Sequence, residues 1–432
     1  MPLRFDPKQP NYQYIQTSQE TIEALKILEQ EKVVAVDTEC NSLNPMYGFM
    51  ITLQIASPEK AYVFDARKIN LKELPQLKQF LENKKIIKLL HNGKFDYKYI
   101  KFLLDIEVDN IFDTMLSEAI LNAGLAGGYN KLKDLVLKYA NIELEKDTCD
   151  TFETFTKSTK LTEAQIKYAA LDTLVMFPVF EKQIQALKKE SLINVAKLEF
   201  AVTRVVGDME LTGIYINKQK WQGIVKELKL KRDEHARKFQ EAIKPYYATS
   251  SIDLFGNHVD LINLNSNVQL MDLFNNKLKL NLPATGDAIL STVDHPVAKI
   301  LRDYRNYEKL VSSFGDTLLE RIDKKTGRIH PEFNQLGAAT GRFSCNKPNL
   351  QQIPRNTKEA PFRECFNPKP GYKLVVTDYS NFEMRILGEL SGDRKMIKTI
   401  NDGLDIHSYT AALMFHKDYS DDFKKSTPSY AK

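Results

Sequence analysis

Near its N-terminus the chain reads Val33-Val34-Ala35-Val36-Asp37-Thr38-Glu39. The apolar run predicts a buried strand, whose side chains alternate between the two faces of a sheet. Asp37 and Glu39 therefore point the same way, and their negative charges repel each other unless a cation lies between them. A divalent metal ion, which prefers oxygen ligands, fits this pair. For an isolated Asp-x-Glu, an acidic turn after a strand is by far the more common explanation, so the metal interpretation depends on the rest of the chain.

The composition is that of an ordinary globular protein. A length of 432 residues predicts two or three domains. The net charge of +5 permits an acidic partner such as nucleic acid without requiring one. We find neither a signal-peptide core nor a run long enough to span a bilayer, so we expect no membrane partner. The four cysteines have no paired spacing, which argues against zinc and disulfides and indicates a reducing compartment such as the cytoplasm.

Predicted strands and helices alternate after Glu39. Residues 51–56, 61–65 and 85–90 read as strands, and residues 71–81 have helical spacing. The last of these strands leads into a second acidic stretch that ends at Asp96. This alternation predicts a mixed α/β fold with a sheet covered by helices, and ligands of such sheets gather beyond the carboxyl ends of strands. Both acidic stretches lie at such ends.

A third acidic stretch lies on a predicted helix that begins near Thr162. Tyr168 and Asp172 are four residues apart, so they share one face of that helix. We expect Thr162 to cap the helix without a capping box, because Glu163 follows too early. Taken alone, this stretch is explained by an ordinary amphipathic helix.

The three stretches together supply four carboxylates and one phenol. Four acids near one point are strongly destabilised without cations, so we predict two Mg²⁺ ions, or Mn²⁺ in their place, with room for a phosphate. One ion would lower the pKa of a bound water, the other would stabilise the leaving oxygen, and the phenol could orient the water. The predicted reaction is phosphodiester hydrolysis. The predicted residues are Asp37, Glu39, Asp96, Asp172 and Tyr168.

The three stretches, in this order, resemble the motifs of the DEDD-type 3′→5′ exonucleases. They read Asp37-Thr38-Glu39, then His91-Asn92-Gly93-Lys94-Phe95-Asp96, then Tyr168-x-x-x-Asp172. The tyrosine is typical of the proofreading domains attached to DNA polymerases. The resemblance implies a ribonuclease H-like fold over residues 1–190 and an active exonuclease that takes the single-stranded 3′ end of DNA.

The middle of the chain is helical and strongly charged. We predict a helix over 201–211, a glycine turn with a short strand, and a long helix over 221–243. Arg305 and Lys309 share a helix face that can follow a phosphate backbone or pair with surface acids. This segment resembles the thumb of family A DNA polymerases, which implies a thumb over residues 191–330 with both cations facing the duplex.

The last hundred residues contain a polar loop and a second strand that ends in an acid. Gly341 lets the backbone approach a partner closely, and Arg342 offers a planar donor fork for phosphates or minor-groove acceptors. Residues 372–378 read as an apolar strand ending in Asp378, which could ligate a metal. Helices are predicted to begin near residues 382 and 405, and His407 lies near the start of the second, where anions such as triphosphates bind favourably.

These stretches resemble family A DNA polymerases of the bacterial DNA polymerase I type, with a partial palm over residues 331–432. The resemblance implies that Asp378 binds both catalytic metals and that Glu383 crowds the sugar 2′ position. It also implies that Arg385 supports the site and that His407 lies near the incoming deoxynucleotide triphosphate. The implied contacts to the primer-template are Arg342, Asn349 and Gln352.

Parts of the family pattern are not found in this sequence. We find no helix with Arg, Lys, Phe and Tyr for the nucleotide and no His-Asp-Glu turn, although Lys432 could begin that helix, with Pro428 where the family has Arg. Polymerisation needs two acids that clamp two metals, so we expect this chain to act with a second polypeptide or to be a piece. There is no room for a 5′-nuclease domain before Asp37, and such a layout suits a phage enzyme.

Three functions stay open at this point. The first is the proofreading portion and partial palm of a replicative family A polymerase. The second is a free-standing exonuclease with a duplex-binding C-terminal part, and the third is a non-catalytic DNA-binding protein. Mg²⁺-dependent degradation of 3′ ends that is lost in Asp37→Ala separates the third from the other two.

Overall fold

The computed structural model describes residues 4–123, 130–144, 149–247, 261–369 and 371–419. It divides into two compact units, Met1–Asn367 and Pro368–Lys432. The segments predicted as exonuclease and thumb both belong to the first unit, so the division at 190 and 330 stays a prediction. The predictions on Pro428 and Lys432 lie outside the described residues.

The first unit is built on a six-stranded sheet with the order β1-β4-β3-β2-β5-β6. Its central strand β2 is antiparallel to β3 and parallel to β5, so the sheet is mixed, as predicted. Asp37 and Glu39 therefore lie on a strand with neighbours on both sides. The strands are β1 (Tyr12–Ile15), β2 (Val33–Cys40), β3 (Met50–Ala56), β4 (Ala61–Asp65), β5 (Ile87–Leu90) and β6 (Ile111–Asp113).

Helices cover both faces of this sheet. One face packs Val34, Val36 and other large residues into a core that continues under α1 to α3. The other face is lined by small residues, Ala35 and Ala56, which meet Ala169 and Ala170 of α6. Alanines let a helix approach a sheet closely, and this brings the end of α6 near β2. The helices are α1 (Ser18–Leu28), α2 (Pro75–Leu81), α3 (Lys94–Leu104), α4 (Thr114–Leu121), α5 (Leu132–Ala140), α6 (Glu163–Leu174) and α7 (Met176–Lys189).

Helix α6 begins with a capping box. The hydroxyl of Thr162 accepts from the backbone N–H of Gln165 at 3.3 Å, and the Gln165 side chain accepts from the N–H of Thr162 at 2.9 Å. The prediction of Thr162 as N-cap is confirmed, but the predicted absence of a capping box was wrong. The box needs Glu or Gln at the third helical position, which is Gln165 rather than Glu163.

The middle of the chain forms a helical segment in which α9 packs along α12. The predicted long helix, the glycine turn and the short strand are all present. Gly213 has a φ of +60°, and a Cβ there would lie 2.6 Å from the carbonyl oxygen of Ile329, so the turn requires glycine. The elements are α8 (Ile193–Thr212), β7 (Ile214–Tyr215), α9 (Lys218–Ile243), α10 (Asn267–Asp272), α11 (Asp287–Leu290), α12 (Pro296–Phe314), α13 (Asp316–Leu319) and β8 (Arg328–Ile329).

A two-stranded hairpin follows, formed by β9 (Glu332–Asn334) and β10 (Ser344–Asn346). The strands are antiparallel, and Cys345 lies opposite Phe333. The connecting loop contains Gly341 in the left-handed region with a φ of +79°, a conformation that glycine adopts easily. The predicted polar loop is confirmed for residues 340–343 at the tip of this hairpin, whereas its later part contains a short helical turn at Leu350–Gln352.

The second unit contains the helices α14 (Phe382–Ser391), α15 (Arg394–Asn401) and α16 (Ile406–Met414). The predicted helix starts near 382 and 405 are confirmed, but the predicted strand over 372–378 was wrong. Val375 and Val376 are 80% and 82% exposed. A strand is stable only when its backbone pairs with a neighbour, and no strand pairs with this segment among the described residues. In the parts of the chain that are described, no helix has the length and apolar character needed to cross a bilayer.

Candidate metal centre

Three acids from two distant parts of the chain meet on one face of the sheet. Carboxylate oxygens of Asp37, Glu39 and Asp172 all lie within 4.8 Å of one another. Asp37 and Glu39 occupy alternate positions of β2, and α6 brings Asp172 because it packs on β2, β3 and β4. All the donors are carboxylate oxygens, which are ligands that Mg²⁺ and Mn²⁺ accept. The donor set therefore fits a hard divalent cation.

The electrostatics of Asp37 favour the binding of a cation. Burial raises the pKa of Asp37 well above its usual range, and the nearby carboxylates of Asp96 and Asp172 raise it further. A carboxylate is costly to keep ionised among other carboxylates, and a divalent cation among them removes that cost.

Asp96, the fourth predicted acid, lies beside this group rather than in it. It sits in the first turn of α3, is 2% exposed, and its carboxylate accepts a hydrogen bond of 2.6 Å from the hydroxyl of Thr38. Burial raises the pKa of Asp96 to about 7, with a smaller contribution from Asp113, whereas the Thr38 hydroxyl lowers it. The structure thus brings three of the four acids into mutual contact distance and holds the fourth through Thr38.

Tyr168 lies one helical turn before Asp172, as predicted from their spacing. Its half-buried ring packs toward Phe152, with the ring centroids 6.4 Å apart. The role of its hydroxyl in orienting a water stays a prediction.

Sequence reasoning misses two residues that position the acids. Thr38 stands between the two acids of β2 and binds Asp96. Asp113, at the end of β6, accepts from the backbone N–H groups of Asn92 and Gly93 at 3.3 and 2.7 Å, and it also caps α4. It thereby fixes the turn that leads into α3 and to Asp96. An aspartate between a strand and a helix is a recognisable N-cap signal, which would have found Asp113.

The two cations predicted to face a duplex differ in their surroundings. Arg305 and Lys309 both lie on α12, as predicted. Arg305 is half-buried and donates to the carbonyl and to the hydroxyl of Thr285, the latter at 3.2 Å. Lys309 is exposed. A contact of either residue with DNA stays a prediction, and Arg305 would have to make it while bonded to Thr285.

The predicted primer-template residues lie in and after the hairpin loop. Arg342 is exposed at the loop, and Gln352 is exposed ten residues further on. Asn349 is half-buried, and its side chain accepts from the backbone N–H of Gln351 at 3.1 Å, which caps a short helical turn. This bond uses the side-chain oxygen of Asn349 as an acceptor. A contact of Asn349 with DNA stays a prediction.

The predicted nucleotide-binding residues all belong to the second unit and are exposed. Arg385 donates to the carbonyl of Ser380 at 2.9 Å, which ties α14 to the segment just after Asp378. His407 lies in the first turn of α16. Among the described residues, Asp378 does not join a group of three acids, histidines or cysteines that could hold a metal. Its metal-binding role, and the roles of Glu383, Arg385 and His407, stay predictions.

A mixed sheet whose central strand presents two carboxylates, with a helix that adds a third, provides the donor set of a site for a hard divalent cation. The model of the 3′-5′ exonuclease family matches residues 12–190, and the model of DNA polymerase family A matches residues 231–432.

Known proteins resemble the chain over nearly its whole length. DNA polymerase I of Aquifex aeolicus is 30% identical over 439 residues, which cover 94% of this chain and 68% of that protein. DNA polymerase I of Chloroflexus aurantiacus is also 30% identical, over 90% of this chain and 42% of that protein. DNA polymerase I of Borreliella burgdorferi is 29% identical, over 95% of this chain and 45% of that protein. The chain belongs to family A of the DNA polymerases, and it spans less than half the length of the latter two relatives.

A solved structure shows the same fold. The POL domain of Pol1 from M. smegmatis, in complex with DNA primer-template and dNTP, matches with a TM-score of 0.73 at 24% identity. The match covers 96% of this chain and 68% of that one. The predicted fold class, a ribonuclease H-like domain within a mixed α/β protein, is confirmed. These relatives are bacterial and give no support to the predicted phage type, and the second polypeptide stays without support as well.

Proposed function

We propose that this chain hydrolyses phosphodiester bonds at the 3′ ends of DNA with two Mg²⁺ ions, or Mn²⁺ in their place. In the cytoplasm of a bacterial cell it would remove terminal nucleotides in support of replication by a family A polymerase. The observation that carries the proposal is the meeting of Asp37, Glu39 and Asp172 within 4.8 Å. A cluster of acids at this density favours a bound cation, and cations of this kind serve phosphoryl transfer.

The chain's own residues divide the work between binding and orientation. Asp37, Glu39 and Asp172 would hold the cations, and Asp96 would add a carboxylate from a position fixed by Thr38. When bound, the ions make water a better nucleophile and stabilise charge on the leaving oxygen. Tyr168 would accept or donate a hydrogen bond that aims the attacking water, since it shares a helix face with Asp172.

The exonuclease proposal is tested with Asp172→Ala and with a control on the same helix, Glu163→Ala. The substrate is a single-stranded oligonucleotide labelled at its 5′ end, incubated with Mg²⁺. We expect Asp172→Ala to lose about a hundred-fold or more of the hydrolysis rate, because it removes a cation ligand. Binding of the oligonucleotide should persist.

Glu163 is exposed at the start of α6, so Glu163→Ala should hydrolyse at a rate close to that of the wild type. Chelation of divalent ions with EDTA should stop hydrolysis in both proteins. Hydrolysis that survives in Asp172→Ala, or that continues in EDTA, would contradict the proposed metal centre.

We also propose that the chain takes part in template-directed DNA synthesis. The support is its membership of family A and the family-model match over residues 231–432. Asp378 would bind the catalytic metals, Glu383 would select deoxynucleotides, Arg385 would support the site and His407 would lie near the triphosphate. The DNA contacts would be Arg305, Lys309, Arg342, Asn349 and Gln352.

This second proposal is tested by binding of a labelled primer-template duplex, measured by fluorescence anisotropy over a range of salt concentrations. Arg342→Ala should weaken binding, and the dependence of log Kd on log salt should become shallower by about one unit if Arg342 neutralises a phosphate. Lys398→Ala, on α15 of the second unit, serves as a cation-removal control. Equal weakening in both variants would mean that general charge, rather than the hairpin loop, binds the duplex.

A further inference from the structure

Helix α3 carries Asp96 in its first turn, and two lysines of its first two turns anchor it to α8. Lys94, two residues before Asp96, places its Nζ 2.7 Å from Oε1 of Glu210 on α8. Lys98, one turn further along, places its Nζ 2.6 Å from Oε2 of the same residue. The Glu210 side chain is only 3% exposed. Both of its oxygens are therefore engaged by the helix that positions Asp96.

The hairpin β9–β10 is hydrogen-bonded to Glu210 and to Lys94. The backbone N–H of Phe333 in β9 donates to Oε1 of Glu210 at 2.7 Å, and the carbonyl of Phe333 accepts from Nζ of Lys94. Further bonds hold the hairpin region on α8, since Gln335 donates to the carboxylate of Glu199 at 2.8 Å. The hairpin loop, which contains Arg342, is thus connected through Phe333 to the first turn of α3.

The Glu210 carboxylate at the centre of this connection is buried, and Lys94, Lys98 and Phe333 around it are half-buried. Ion pairs and hydrogen bonds in a low-dielectric interior have defined geometry, and the loss of one partner leaves a buried charge uncompensated. Lys94 and Asp96 both lie in the first turn of α3. A displacement of Phe333 therefore acts on Lys94, and a displacement of Lys94 acts on Asp96, which is held on its other side by Thr38.

We propose that Lys94 and Glu210 are positioning residues that couple the hairpin carrying Arg342 to the placement of Asp96. Duplex DNA that orders the hairpin orders the first turn of α3 as well, and so raises the rate at which the metal centre hydrolyses a frayed 3′ end. The inference rests on the proposed exonuclease function, and it adds the residues through which duplex binding controls that function.

The test compares Lys94→Met with Lys98→Met. Both substitutions remove one lysine that binds Glu210, but only Lys94 also binds the hairpin. The measured quantity is the ratio of kcat on a primer-template with an unpaired 3′ end to kcat on a single strand of equal length. We expect Lys94→Met to lower this ratio about five-fold or more, a typical size for coupling between sites. Lys98→Met should leave the ratio within about two-fold of the wild type, since the bond between Lys94 and Phe333 of the hairpin is still made.

A double-mutant cycle of Arg342→Ala with Lys94→Met distinguishes coupling between the hairpin and Asp96 from a general loss of structure. In the wild-type background Arg342→Ala should lower the ratio, and in the Lys94→Met background it should have little further effect. Glu210→Gln keeps the shape of the side chain and should lower the ratio, as Lys94→Met does. It serves as the second variant if the Lys94→Met protein does not fold.

The proposal is overturned if Lys94→Met and Lys98→Met change the ratio equally, or if neither changes it. A wild-type chain that hydrolyses neither substrate contradicts the exonuclease function itself. Hydrolysis of both substrates with an unaltered ratio in Lys94→Met and in Glu210→Gln contradicts the coupling alone.

Discussion

Asp113 illustrates how one buried side chain sets the position of another. It accepts four backbone N–H groups, two from the turn before α3 and two from the start of α4. Burial raises the pKa of Asp113, and these donors act in the opposite direction. A buried carboxylate is tolerated where backbone donors replace its water. Asp96 occupies its place because Asp113 fixes the turn in front of it.

Lys88 is a buried cation with little to balance its charge. The residue is fully buried on β5, and its Nζ donates to the carbonyl of Asn83. Burial lowers its pKa from 10.5 to about 8, although the charge of Asp109 acts to raise it. Because the folded pKa lies below the unfolded one, the unfolded chain binds more protons between pH 8 and pH 10.5. The destabilisation is complete below about pH 8 and disappears as the pH rises through this window.

We predict that Lys88→Met removes this pH dependence. The free energy of unfolding of the wild type, relative to the variant, should rise by up to about 3 kcal/mol between pH 8 and pH 10.5. Urea titrations of both proteins at several pH values measure it, and the difference between them cancels other titrating groups. A constant difference across this range would show that Lys88 is not held as a destabilised cation.

At the scale of elements, the contact between α3 and α8 depends on a glycine. Gly207 of α8 faces Tyr97 of α3, and a Cβ at position 207 would lie 2.5 Å from the ring. The ring is fully buried, and its hydroxyl donates to Asp208 at 2.9 Å, so it has little freedom to move. The close approach of the two helices is what allows Glu210 to reach both Lys94 and Lys98.

We predict that Gly207→Ala lowers the free energy of unfolding by about 1–3 kcal/mol, because the added methyl forces α8 away from α3. Chemical denaturation measures the change. The matched control is Gly223→Ala in α9, where a Cβ meets nothing within 4 Å. That substitution should stabilise the protein by about 0.5–1 kcal/mol through the better helix propensity of alanine. Equal effects at both positions would contradict the close packing at Gly207.

The whole molecule comprises two compact units, and this affects how such measurements are read. Lys88, Gly207 and Gly223 all belong to the unit Met1–Asn367. A chain with two units need not unfold in one step, so a single free energy applies only to the transition of the unit that carries the substitution. Within that first unit, Glu210 of α8 bonds both to α3 and to the hairpin β9–β10.

Much of the fold and of the candidate site could be predicted from local sequence. The alternation of Asp37 and Glu39, the spacing of Tyr168 and Asp172, and the glycine turn at 213 each depend on backbone periodicity or on one residue's φ. Such features are fixed by neighbours along the chain, and the structure retains them. The alternation of strands and helices followed for the same reason, whereas the order in which the strands pair did not.

Tertiary structure alone decided which distant groups meet. The hydrogen bond from Thr38 to Asp96 joins residues 58 positions apart, and the bond from Phe333 to Glu210 joins residues 123 apart. The segment 372–378 has the composition of a strand but forms none among the described residues, because a strand exists only through hydrogen bonds to another strand. Local patterns determine the shape of each segment, whereas pairing, burial and charge compensation depend on partners that only folding brings close.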